Sequence, residues 1–399
     1  MNITLDSKVT AKLSVQADGE EFTVGDPVSG TFIRVPYEAV HIIHMLDGVK
    51  TLNEISEQLR NEQMDADVLD FVETLHELEL IYSIDGKVFL IPPDEKPVSK
   101  SLSAAASVIF HPISQVCYVL FFLLSIGMIA GIPELRPVYK DFWAAEATGL
   151  SLLLLFFISW PLTILHELGH YLAALRLGIP VKFNLSLRFY WLVVEADMTG
   201  LWSVSKQKRY LPYAAGMAVD SFLLFLSLAG QMAAAGFALK LLKMITLLLV
   251  MRFAWQLLIF LRTDIYFLIM NKLNMPSLHG YAKEIMTGYM RKKDRGESLK
   301  EELSVKEMSY VKSFASCYLI GGIIAAGLLF LYSLPGLYVL LKQTMVQLSV
   351  YSLNSWLFWD GIITLAILSV NAVIWSIGAA SKYKGSKTGT LPISSNEAT

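Results

Sequence analysis

Residues 145–175, AEATGLSLLLLFFISWPLTILHELGHYLAAL, form a long apolar run that carries His166-Glu167-Leu168-Gly169-His170 in its second half. A run of this length and composition predicts a membrane helix. The four-residue spacing puts both imidazoles on one helical face, one turn apart, within reach of a single ion. Zinc held by two histidines and a carboxylate keeps an open position for water, and a neighbouring glutamate can take that water's proton. That is the chemistry of peptide hydrolysis, with His166 and His170 as metal ligands and Glu167 as general base. An unpaired carboxylate near mid-bilayer costs about 2.5 to 3.5 kcal/mol, so its presence there argues for a use.

The rest of the chain agrees with a membrane setting. Its 399 residues are 54% hydrophobic and 17% charged, with a mean hydropathy of +0.50, which predicts a polytopic α-helical membrane protein. A net charge of −2 and the lack of a basic stripe interleaved with aromatics set nucleic-acid binding aside. Cys117 and Cys317 stand in apolar runs without CxxC spacing, so neither a disulfide framework nor a thiolate zinc site is expected, and both are read as core residues. Met1–Thr10 lacks a basic region followed by an apolar core, so no cleavable signal peptide is expected.

Six apolar runs are long enough to span: 113–132, 145–174, 211–237, 244–261, 314–334 and 357–379. Lysines and arginines follow the even-numbered runs: Arg176, Lys182, Arg188, Lys206, Lys208 and Arg209, then a dense set from Arg262 to Lys312, then Lys382, Lys384 and Lys387. This asymmetry puts both termini in the cytosol of a cell, read as bacterial, whose membrane the chain crosses several times. His170 lies six residues before Arg176, so the motif sits roughly 9 to 15 Å inside the cytosolic boundary at about 1.5 Å per residue.

Residues 1–93 read as a small cytosolic α+β domain of winged-helix type. Lys12–Val24 alternates around Asp18-Gly19 as a hairpin, and Gly30–Val35 adds a strand. Thr51-Leu52-Asn53-Glu54 is a capping box opening a helix with Leu52, Ile55 and Leu59 on one face. Val68, Phe71, Val72 and Leu75 mark a second helix, and Asp85-Gly86 turns a closing hairpin. Ala39–Ile81, with Met45-Leu46-Asp47-Gly48, Thr51, Ile55, Leu59, Val68, Phe71, Leu75 and Leu78, resembles the small peptide chaperone of pyrroloquinoline quinone biosynthesis (PqqD-like). That resemblance implies a domain that binds the leader of a ribosomally made precursor peptide as an added strand. A structural or DNA-binding type of winged helix is the alternative. His41, His44 and His76 lack ligand spacing. Residues 94–103 read as a proline- and charge-rich linker, 104–385 as a six-helix membrane domain and 386–399 as a flexible tail.

Between the second and third runs, Val181, Phe183, Leu185 and Leu187 alternate with Lys182, Asn184, Ser186 and Arg188 before Phe189-Tyr190-Trp191 and Val193-Val194. This predicts strands at the membrane interface, whose edge could meet an unfolded substrate strand, against a plain amphipathic loop. The third metal ligand is expected from Asp264, with Asp220 and Asp197 as rivals and an Asp220–Arg252 ion pair as the other use of Asp220. His111 and His279 are read as structural, and Asp360 and Asn371 as helix-packing polar groups.

Residues 150–290 resemble the site-2 protease family of intramembrane zinc metalloproteases. His166-Glu167-Leu168-Gly169-His170 matches its catalytic motif. Ala215-Gly216-Met217-Ala218-Val219-Asp220 is similar to the family's Ala-Gly-Pro-x-x-Asn, with Met217 and Asp220 replacing proline and asparagine. Asp264-Ile265 resembles its Asp-Gly ligand motif, with isoleucine for glycine. The resemblance implies a zinc endopeptidase that cleaves a precursor peptide, in the company of lipid and of a peptide-modifying enzyme and an exporter. Two other readings stand beside it: cleavage of a membrane-anchored regulator, and a non-catalytic partner in peptide export or immunity.

Overall fold

The computed structural model describes residues 3–18, 21–64, 66–89, 100–275, 277–291 and 303–387. Its N-terminal α+β domain begins with strand β1 (Lys8–Thr10) and a meander of β2 (Ser14–Asp18), β3 (Glu21–Asp26) and β4 (Thr31–Val35) in order β2-β3-β4. Helix α1 (Tyr37–Met45), strand β5 (Asp47–Thr51), and helices α2 (Leu52–Asn61) and α3 (Val68–Glu77) follow. The expected Thr51–Glu54 capping box is formed, and Leu52, Ile55, Leu59, Val68, Val72 and Leu75 are buried together. Phe71 is only partly buried at the margin of that core. Asp85-Gly86 turns the closing hairpin β6 (Ser83–Ile84) and β7 (Lys87–Val88). A feature the periodicity does not announce is the second sheet, β5-β1-β6-β7, in which the short strand β1 bridges the chain before α2 and the hairpin after α3.

Five helical stretches are long and apolar enough to cross a membrane, which gives the chain the architecture of a polytopic membrane protein. After α4 (Lys100–Ile109) come α5 (Pro112–Gly131), α6 (Thr148–Leu175), α7 (Lys206–Gln231) and α8 (Gly236–Gln256). Helix α8 answers to the expected run 244–261 but is not among the five: it carries Lys240, Lys243 and Arg252, and the chain leaves it for a 3-10 turn at Ile259–Leu261. Helices α9 (Asp264–Leu273) and α10 (Leu278–Arg291) are short. The expected run 314–334 is the middle of a 46-residue stretch made of α11 (Val305–Leu328), a π turn and α12 (Leu334–Val350). At 1.5 Å per residue it is about 70 Å long, more than twice a ~30 Å hydrocarbon core, so only part of it fits within one crossing. The final helix is α13 (Trp356–Lys387).

Buried polar groups fix these helices to one another. Asp360 of α13 accepts from the Leu150 backbone N–H at 3.1 Å, so a carboxylate in one helix satisfies the open N-terminus of α6. His111 caps α5 in the same sense, accepting from the Ile113 N–H, and Asn371 bonds the carbonyl one turn back in its own helix. Cys117 and Cys317 are half-buried rather than core, and both are free thiols. Of the expected linker, residues 94–99 lie outside the described residues and Lys100–Ser103 already belong to α4; the expected tail beyond 387 is also outside them.

The two parts are seated against each other through the β2-β3-β4 sheet. Phe32 is buried in a cluster with Ala174, Ile179, Leu201, Trp202 and Tyr213 of the helical part, a burial worth about 1.5 to 3 kcal/mol. Beside it Arg209 meets Asp18 at 2.6 Å, with both side chains almost fully buried.

Candidate metal centre

The motif occupies the last third of α6, where Gly169 lets α7 approach closely: a Cβ there would stand 2.9 Å from both the Ala215 carbonyl oxygen and a Val219 methyl carbon. His166, Glu167 and His170 are buried between the helices. Gly216 of α7 backs directly onto the two imidazoles, since a Cβ on it would lie 2.4 Å from His170 Nε2 and 2.5 Å from His166 Nε2. Any side chain at 216 would fill the space in front of the ring nitrogens.

Each histidine is held by its other nitrogen. His170 Nδ1 donates to the Pro212 carbonyl at 2.7 Å, and His166 Nδ1 donates to Asp220 Oδ2 at 2.7 Å. A carbonyl can only accept, so the proton of a neutral His170 is on Nδ1 and its Nε2 presents a lone pair; an ionised Asp220 does the same for His166. The two Nε2 atoms then face each other at 3.2 Å. Asp264 completes the group, with Oδ2 at 3.2 Å from His166 Nε2 and Oδ1 at 3.3 Å from His170 Nε2. Lone pairs and a carboxylate gathered this closely repel unless a cation lies among them. Ligands about 2.0 to 2.1 Å from a tetrahedral zinc are separated by about 3.3 Å, which these contacts match.

Among the described residues, His166, His170 and Asp264 are the group whose donor atoms converge in this way. The structure thus separates the three carboxylates weighed as third ligand. Asp264 faces the Nε2 pair, Asp220 lies behind His166, and Asp197 turns away to accept from the Thr199 backbone N–H and hydroxyl. Asp264 is the first residue of α9. Gln256 at the end of α8 donates to its Oδ2 at 3.1 Å and accepts from its backbone N–H at 2.9 Å. The sharp corner before it uses a left-handed φ of +56° at Arg262, not at Ile265, so no glycine is needed after the aspartate.

Asp220 also receives Arg252 of α8 at 3.3 Å. The formal charges of Glu167, Asp220, Asp264 and Arg252 leave two negative charges in a buried site, the amount one divalent cation balances. His279 is not at the centre; its ring packs edge-on against Phe314 and Tyr318, and its backbone N–H donates to the Tyr266 hydroxyl.

Strands occupy the segment after α6, as the alternation predicts. Strand β8 (Lys182–Arg188) pairs antiparallel with β9 (Trp191–Asp197) across a Phe189-Tyr190 turn. The Ala196 N–H points away from β8 and donates to Glu167 Oε2 at 2.7 Å. By the two-residue period, Val194 and Leu192 turn their backbone groups the same way. Between this edge and α6 lies a cleft of about 120 Å³ lined by Ser159, Trp160, Thr163, Leu192 and Val194.

Sequence reasoning finds the three donors and Glu167 but not Gly216, Gln256, the Pro212 carbonyl or the Ala196 N–H. The last two are backbone groups with no residue signature. Gly216 stands in the run compared with the protease family, and its position there is the signal that could have marked it. Compared with protein-family models, curated proteins and solved structures, the chain matches none.

Proposed function

We propose that the protein is an intramembrane zinc metalloendopeptidase, of the site-2 protease kind, that captures a ribosomally made precursor peptide and cleaves it from its leader. The observation that carries this reading is the convergence of His166 Nε2, His170 Nε2 and the Asp264 carboxylate beside Glu167. Zn²⁺ held there supplies a Lewis acid for a peptide carbonyl and a water whose pKa falls to about 7. Glu167 takes the proton of the attacking water and returns it to the departing amine. The Ala196 N–H holds one oxygen of that carboxylate, so the base is aimed by the strand that borders the cleft.

The edge of β9 supports the rest of the mechanism. An extended substrate can add to the outward groups of Leu192 and Val194, which aligns its main chain along α6 towards the donors. Binding as a strand also selects unfolded segments, because a helix has no free main-chain groups to pair. With both termini in the cytosol, the N-terminal domain sits on the side from which such a segment enters. Its seat touches β8 and the chain just beyond β9: Lys182 donates to the Val28 carbonyl, and Gly200 packs under the Pro27 carbonyl. A leader held by this PqqD-like domain is thereby kept near the edge strand, and an enzyme that modifies the peptide and an exporter are the expected neighbours in the pathway.

The test is metal content and cleavage by the purified full-length protein in lipid. One zinc per chain is expected, lost in His166→Ala and Asp264→Asn. A short peptide encoded beside the gene should be cut at one position, and Glu167→Gln should bind it without cutting. Cutting undiminished in Glu167→Gln would exclude the mechanism. A metal-free wild type would favour a non-catalytic role in export or immunity, and cleavage of a membrane-anchored regulator instead of the peptide would redirect the substrate assignment alone.

A further inference from the structure

We propose that Asp220 and Arg252 are positioning residues of the metal centre: Asp220 fixes the His166 ring, and Arg252 clips Asp220 to the turn of α6 that carries that histidine. The inference rests on the metal reading above. Its basis is a set of contacts that join three helices at one guanidinium. Arg252 of α8 donates to Asp220 Oδ1 of α7 at 3.3 Å, to the Leu162 carbonyl of α6 at 2.7 Å and to Thr163 Oγ1 of α6 at 3.0 Å.

The place on α6 that Arg252 grips explains why a clip is useful. Pro161 lies inside the helix, five residues before His166, and its ring nitrogen has no hydrogen to donate to the carbonyl one turn earlier. The helix is weakened there, immediately ahead of its ligands. Leu162 and Thr163 form the next turn, and Arg252 ties both to α8. A lysine could supply the charge but not the planar set of donors that reaches three acceptors.

The two histidines differ in what stands behind them. His170 leans on a neutral backbone carbonyl, that of Pro212 in α7, whereas His166 leans on a buried carboxylate that needs its own partner. A carboxylate behind an imidazole strengthens it as a ligand and fixes its tautomer. Asp220 is 1% exposed, so its charge is held by His166 and Arg252 together. Arg252 thus acts on the metal through Asp220 and through the backbone of α6, without touching it.

The experiment measures Zn²⁺ affinity of the full-length protein in detergent by competition with a chromophoric chelator, and the visible absorption of the Co²⁺-loaded protein as a report on ligand geometry. Asp220→Asn, which keeps shape and hydrogen-bond capacity, is expected to weaken Zn²⁺ binding about 10- to 100-fold. Arg252→Met should weaken it to a similar degree, because Asp220 then loses the donor that holds it behind His166 and the Leu162–Thr163 turn loses its tie to α8. Asp220→Asn/Arg252→Met should bind little more weakly than the weaker of the two single variants, a non-additivity that independent structural damage does not produce. Arg252→Lys, the variant least disturbing to the fold, should be intermediate and shift the Co²⁺ bands. One equivalent of Zn²⁺ in the wild type, with unchanged affinity and bands in Asp220→Asn and Arg252→Lys, would overturn the inference and leave the metal reading intact. A wild type that takes up no Zn²⁺ overturns both.

Discussion

Two aspartate–arginine pairs with buried carboxylates join parts of this molecule, and they serve different ends. Asp220–Arg252 lies among the helices, and every neighbour of the guanidinium is an acceptor on an element that carries or supports a metal donor. Asp18–Arg209 joins the N-terminal sheet to α7, where Arg209 also donates to the carbonyls of Leu201, Trp202 and Val204 and stacks on the Trp202 ring. The first pair stands behind the His166 ring, which the proposed reading makes a metal ligand; the second fixes one domain on another. The seat is also less complete. Asp18 Oδ1 and Arg209 Nη1 are buried without a partner among the described residues, whereas no buried side-chain nitrogen or oxygen of Asp220 or Arg252 is left so. A joint with unsatisfied polar groups is the weaker place to pull.

The largest effect expected from breaking this contrast is at the seat. Arg209→Met leaves Asp18 buried without a cation, which costs about 3 to 5 kcal/mol. Limited proteolysis should then release the N-terminal domain from the membrane part, while Zn²⁺ affinity stays at its wild-type value. Loss of metal in this variant would mean that the two pairs are not separate in function.

Gly216→Ala attacks the other side. The added methyl would stand 2.4 to 2.5 Å from the two Nε2 atoms, in the space a cation needs. Zn²⁺ affinity is expected to fall by at least ~100-fold, or about 2.7 kcal/mol, with the proteolysis pattern of the domain seat unchanged. Metal bound at full affinity by this variant would refute the placement of the ion between the histidines and α7.

His279 offers a third environment, a titratable ring near cations rather than opposite an anion. Burial, with Arg262, Arg188 and Lys283 nearby, pushes its pKa down to about 3. The folded state therefore resists the proton that the unfolded chain accepts near pH 6.5, so stability is complete above that pH and is lost as pH falls through it towards 3. Between about pH 6.5 and about pH 5 the loss is on the order of 1.5 kcal/mol. Denaturant midpoints of wild type and His279→Phe at the two pH values isolate it: the wild type should lose more on acidification than the variant.

Legibility in the sequence follows from distance along the chain. His166, Glu167 and His170 lie within five positions on one helix, so their spacing carries their geometry. Asp264 lies 94 residues after His170 and joins it in space, not in a local pattern. Sequence offered it together with Asp220 and Asp197 because all three are acidic groups near apolar runs. The fold separates them by a left-handed corner at Arg262 and an amide clamp from Gln256, which the sequence does not display, and by the Asp220–Arg252 ion pair, which the sequence offers as one use of Asp220. The alternation of β8 and β9 and the capping box of α2 are legible because each is a local rule. The seat is not, since Asp18 and Arg209 stand 191 residues apart. Helix α8 shows both kinds of signal: its apolar residues read locally as a crossing, while the use of Arg252, which grips α6 and α7, appears only in the fold.

The smallest effect tests whether the N-terminal domain can be changed without disturbing either pair. Thr51 caps α2, its hydroxyl accepting from the Glu54 N–H while Glu54 accepts from the Thr51 N–H. That backbone hydrogen bond holds the Glu54 carboxyl below its ordinary range, so its contribution is present above the unfolded value and fades as the pH falls through the folded one. Thr51→Ala removes one half of the box and should cost about 1 kcal/mol. Because the cap lies in a helix whose buried face packs within its own domain, only the unfolding of that domain should move. Zn²⁺ affinity and the Asp18–Arg209 seat should remain as they are, read by chelator competition and by limited proteolysis. A shift in metal affinity from so distant and so mild a change would show that the domain's own stability reaches the centre, and the separation of the two pairs would have to be given up.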